Sequence, residues 1–148
     1  MTMENLKRFL DAQNQTYLKA LDEIRNGRKT THWMWFVFPQ ITGLGQSDIA
    51  KFYSIKDIDE ASAYVDHPVL GKHLIEISTE LLHHANLSAH EIFGSPDDVK
   101  LRSSMTLFAN VPNVDPIFAN VLDAFFEGKQ DEKTIQILLR QKIDHVPG

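Results

Sequence analysis

No stretch constrains the fold of this chain more than HWMWFVFPQITGLGQS, His32 to Ser47. Six of its first seven residues are large and apolar, and both tryptophans of the protein are among them. As a helix this segment is apolar all round; as an extended piece it is apolar on both faces. In either form it must be the central element of a core. Trp33 and Trp35 diverge on a helix and share a side on a strand. Pro39 ends any helix there, and Gly43 and Gly45 relax the backbone ahead of Ser47.

The chain has 148 residues, enough to close one core and too few for two ordinary domains, so a single domain spanning 1–148 is expected. A charged fraction of 24% with a net charge of −5 argues against the broad basic face that phosphate backbones require, so no nucleic-acid partner is expected. The absence of cysteine excludes disulfides, thiolate catalysis and cysteine zinc sites, and points to a cytoplasmic protein. The N-terminal MTMENLKRFLDAQ carries charges throughout, unlike a secretory signal. No apolar run approaches the roughly 20 residues that span a bilayer.

The remainder reads as helices with start and stop signals. Leu6, Phe9, Leu10, Tyr17, Leu21 and Ile24 recur at helical spacing until Asn26-Gly27. Ser47 caps a short helix, and Asp57 with Glu60 opens another. Pro68 takes a first helical position ahead of Leu70, Leu74, Ile77 and Leu81. Ser88 and Glu91 box a short turn closing at Gly94, and Ser95-Pro96-Asp97-Asp98 starts a helix with Leu101, Met105 and Phe108 on one side. Asp115-Pro116 starts the next, and Asp131 caps the last, with Ile135, Leu138 and Leu139 facing inward. A lone strand in WMWFVF would have no partner. The expected fold is all-α, a compact bundle of about six to seven helices around the Trp-rich segment.

Three constellations carry chemistry beside their packing roles. Trp33 or Trp35 next to a glycine loop suits stacking on a flat ligand. Gly43, Gly45 and Ser47 suit close approach to an anion, although their spacing matches neither a dinucleotide fingerprint nor a P-loop. Lys100, Ser103 and Ser104 share a helix face that offers a cation and hydroxyls, while Arg102 points elsewhere toward solvent. Close helix packing is the competing explanation for the hydroxyls. His83, His84 and His90 lack metal-ligand spacing, so no metal is expected. His32 and His67 are the two histidines placed to act as a base.

The blocks WMWFVFPQITGLGQS, HPVLGKHL and IFGSPDDVKLRSSMTLF together resemble a bacterial family, domain of unknown function 1810, once mislabelled calpastatin. The resemblance implies a compact, mainly α-helical fold and no established activity. The second block departs from the family in carrying Lys72-His73 where arginine often follows the glycine.

The expected site lies between the Gly43–Ser47 loop and the start of the Pro96 helix. Trp33 or Trp35 would stack on a planar group, with Gln40, Gly43, Gly45, Ser47, Lys100 and Ser104 around a small anionic ligand and His32 as the base. A nucleotide or nucleotide-sugar metabolite, bound or hydrolysed without a cofactor, is the leading expectation. A protein–protein interaction or scaffold module without catalysis is the alternative.

Overall fold

The computed structural model describes residues 2–144. Among these residues nine α-helices follow one another: α1 (Thr2–Arg25), α2 (Met34–Val37), α3 (Asp48–Phe52), α4 (Ile58–Asp66), α5 (Leu70–Leu82), α6 (Ala89–Phe93), α7 (Asp97–Ala109), α8 (Ile117–Phe126) and α9 (Glu132–Asp144). Extended structure among them is limited to one isolated parallel bridge, Ile41 to Ile55. The all-α expectation holds, but the count of six to seven is exceeded. The difference lies in α2, within the Trp-rich segment, and in α6, expected only as a short turn, helices of four and five residues.

Local capping sets most boundaries. Ser47 Oγ accepts from the Ala50 N–H, Asp57 from that of Glu60, and Asp131 from that of Thr134. Ser88 and Glu91 exchange both bonds of a capping box. Each such cap stabilises its helix by about 1 kcal/mol. Two starts differ from expectation. The Gly71 N–H bonds the His67 carbonyl, as expected for Pro68 in a first turn, yet the cap is the His67 ring: its Nδ1 accepts from Val69 and Leu70. His67 is therefore committed to structure. Before α7 Ser95 does not cap; Pro96 holds the cap position, after a cis bond, and the helix begins at Asp97.

Helix α7 is the axle of the bundle, touching α4, α6, α8 and α9. Leu101, Met105, Leu107 and Phe108 are buried, and so are Ser103, Ser104 and Thr106 on its other sides. From Ser103 to Phe108 the helix is buried all round, and such a stretch cannot show the one-sided stripe of a surface helix. Its hydroxyls are tolerable because they bond within the protein: Ser103 to the Val99 carbonyl, and Thr106 to that of Arg102 while accepting from the Asp131 N–H. Ser104 Oγ makes no such bond. Arg102, expected in solvent, instead reaches the carbonyls of Lys129 and Gln130 at 3.0 and 2.8 Å and staples the turn between α8 and α9. On α9 the inward stripe is Thr134, Ile137 and Leu138, whereas Leu139 is 55% exposed, contrary to expectation. The stripe runs 134, 137, 138, and 139 falls past its edge.

The Trp-rich segment is the centre of the core, as expected, and in its middle it forms the single turn α2. Trp33 is fully buried against Phe38 and Phe93. Its indole N–H donates to Glu23 at 2.9 Å. The same carboxylate accepts from the N–H groups of Thr30 and Thr31 and from the Thr31 hydroxyl. Burial alone would raise the Glu23 pKa. The hydrogen bonds outweigh it and bring the value down to about 2. The folded value thus lies below the ordinary 4.5. The associated stability, on the order of 3 kcal/mol, is present above about pH 4.5 and is lost as pH falls toward 2. Urea melts of Glu23→Gln at pH 7 should show a loss of that order, and the gap from wild type should narrow at pH 3.

Candidate functional site

The most chemically loaded surface of the molecule lies between α1 and α5. On α1, Phe9, Gln13 and Tyr17 follow at intervals of four, so the Gln13 amide sits in the middle of a buried stripe. Its Nε2 lies 2.6 Å from the Phe36 carbonyl and 2.8 Å from the Tyr64 hydroxyl. A carbonyl only accepts, which fixes the amide with its nitrogen toward Phe36 and its oxygen toward α5. That oxygen is 2.8 Å from His73 Nδ1. An amide oxygen cannot donate, so Nδ1 must carry the hydrogen. When His73 is neutral, the opposite nitrogen, Nε2, therefore holds a lone pair.

The ring is also held from its face. Tyr17 stacks on His73 with centroids 3.6 Å apart and planes 6° from parallel. The Tyr17 hydroxyl donates to Glu76 at 2.6 Å, and Glu76 is one helical turn beyond His73. Burial, then the bond to Glu76, pushes the Tyr17 phenol well above its ordinary value. Burial likewise raises Tyr64. For His73 burial lowers the pKa; Glu76 opposes this and Lys72 reinforces it, and the net direction is downward. The imidazole is thus neutral at neutral pH.

Gln13, Tyr17, His73 and Glu76 line an open groove of about 530 Å³, together with Asn14, Leu18, Pro68, Val69 and Lys72. That is within the range of sites for small metabolites, roughly 300–1,000 Å³. Leu18 is 79% exposed and Val69 43%, so the rim is apolar beside a polar floor.

The residues expected from sequence are only partly brought together. Trp35, Gln40, Gly43 and Gly45 do share a cleft, with Lys51, Tyr53 and Ser54, and Lys100 Nζ lies 5.6 Å from the centre of the Trp35 ring. The cleft holds about 20 Å³, room for a water. Trp33 is buried without a face for a ligand, and Ser104 is also fully buried. Ser47 is occupied in capping α3. Gly45 is required by packing, since a Cβ there would lie 2.5 Å from that of Ala50. Lys100 also pairs with Asp97 at 3.6 Å, and Asp97 in turn binds Lys29 at 2.8 Å.

His32 is exposed and lines neither place. His83 meets Glu80, His84 the Arg25 carbonyl and His90 Asp98, each separately. Among the described residues no three His, Asp or Glu side chains gather as a metal site would require. Nor is any helix among them long and apolar enough to cross a membrane.

Besides the HPVLGKHL block with its Lys72-His73 departure, the groove residues carried one signal in the sequence. Gln13 breaks an otherwise apolar stripe midway between Phe9 and Tyr17. A polar side chain there must find buried partners. Nothing local identifies His73, 60 positions away, as one of them.

A family model described as "Protein of unknown function (DUF1810)" matches residues 3–138. No curated protein matches the chain. Among solved structures, the conserved hypothetical protein Rv1873 from Mycobacterium tuberculosis is similar at 44% identity and a TM-score of 0.89. The match covers 91% of this chain and 96% of that one.

The different burial of the two tryptophans is directly measurable. Iodide should quench part of the fluorescence, and Trp35→Phe should leave an emission that iodide does not reach. Equal quenching before and after the substitution would place Trp33 outside the core.

Proposed function

The chain belongs to the DUF1810 family, and we propose that it binds a small anionic metabolite, a nucleotide or nucleotide-sugar, in the groove between α1 and α5. The observation that carries this reading is the fixed Tyr17–His73 pair at the floor of that groove. Side chains whose orientation is over-determined by neighbours, whose pKa values are displaced and which line a concavity are the usual marks of a ligand site. Lys72 supplies a cation for an anionic group, and Leu18, Pro68 and Val69 supply apolar edges for a ring. His73 Nε2 takes a hydrogen bond from a ligand N–H or O–H.

A second reading keeps the ligand at Trp35, where Lys100 stands over the ring beside the Gly43–Gly45 loop. It requires the loop to open, since the cleft admits little more than a water. Thermal unfolding against nucleotides, nucleotide-sugars, ADP-ribose and sugar phosphates separates the readings. A ligand at about 100 times its Kd stabilises by roughly 2.7 kcal/mol, several degrees for a domain of this size. The shift should shrink strongly in Lys72→Ala and stay in Lys100→Ala. The reverse pattern moves the site to Trp35. A blank panel with folded protein removes both and favours an interaction module.

A further inference from the structure

We propose that His73 is a general base, and that the groove hydrolyses a phosphate ester or anhydride of the ligand it holds. This rests on the binding reading above, but it adds a reaction and a residue that carries it. The groove meets three requirements of base catalysis with its own side chains.

The first requirement is the right nitrogen. Gln13 is oriented by the Phe36 carbonyl and the Tyr64 hydroxyl, and it compels the proton onto His73 Nδ1. The lone pair is then on Nε2, the nitrogen away from the buried amide. A histidine whose inner nitrogen donates to a fixed acceptor while its outer nitrogen is basic is the arrangement that proton transfer needs. The second requirement is a fixed ring plane. Stacking on Tyr17 supplies it, and Tyr17 is itself held by Glu76. The third is the correct protonation state. The groups facing the imidazole are Gln13 and Tyr17 on α1, Lys72 and Glu76 on α5, and, behind Gln13, Tyr64 on α4. Burial and Lys72 together outweigh Glu76 and keep the ring unprotonated at neutral pH.

The step balances with water as co-reactant. A water beside Nε2 gives up one proton to it while its oxygen bonds to phosphorus. The bond from phosphorus to the leaving oxygen breaks, and that oxygen takes the proton back from Nε2. Lys72 attracts the phosphoryl oxygens as charge grows on them. Tyr17 does not take part in proton transfer, because its hydroxyl proton is committed to Glu76.

Two measurements test this. In the first, long-range ¹H–¹⁵N spectra of the wild-type protein report which imidazole nitrogen of His73 is protonated. Nδ1–H is expected, and an Nε2–H ring would overturn the proposal. The second is turnover of bis(p-nitrophenyl) phosphate and of ADP across pH 5–9. Wild type should release product with a rate that falls on the acid side as His73 protonates. His73→Gln should lose about 100-fold or more, within the usual range for a general base. Gln13→Met acts by positioning. It should lower kcat more than KM while the His73 nitrogen shifts reveal a mixed tautomer, which a purely structural loss would not produce. No turnover of either probe, or equal turnover by folded His73→Gln, overturns the base assignment. If nucleotides still raise the melting temperature in that case, the binding reading stands by itself.

Discussion

Glu23 receives hydrogen bonds from two backbone N–H groups, a hydroxyl and an indole, all belonging to the segment that leads into the core. A buried carboxylate is costly unless so many donors converge on it. Here they convert the loop after α1 from a free connection into a fixed entry, and the fixed entry delivers Trp33 to Phe38 and Phe93. The rest of the packing follows from this. Lys29, in the same loop, lies over the Trp33 ring and also binds Asp97 at the start of α7, so the loop ties the first helix to the central one.

The two halves of the Trp-rich segment then do different work. Trp33, Met34, Phe36, Val37 and Phe38 fill the core, while Trp35 turns to the surface beneath Lys100. The Phe36 carbonyl is used as well: it is the acceptor that orients Gln13. One backbone atom of the core segment thus sets the direction of a hydrogen-bond chain that ends at His73 in the groove. Core packing and the chemistry of the groove are built from the same turn of helix.

What could be read in the sequence was what depends on neighbours within a few residues. The caps at Ser47, Asp57, Ser88 and Asp131 obey rules spanning three positions, and the apolar stripe of α1 spans a single helix. Most of Trp33 to Phe38 had to be interior because no other placement hides that much apolar surface. What stayed illegible was tertiary. The hydroxyls of α7 do sit where helices pack closely, the packing explanation their residue types already offered, but which helices surround them is set by the tertiary fold. The glycines of the 43–45 loop answer to a turn and to Ala50. The pairing of Gln13 with His73 depends on how two distant helices meet, and no spacing rule reports that. Gln13 itself, a polar residue on a buried stripe, was the available clue.

Helix α1 also behaves as a ruler. Gln13 and Glu23 are ten residues apart on one uninterrupted helix, about 15 Å along its axis, and each is held by partners from a different part of the chain. Adding or removing one residue between them would turn one against the other by about 100°. Either the Trp33 entry or the His73 tautomer would then lose its partner. The register between these two positions is therefore fixed. In this segment the count of residues is under stricter control than their identity.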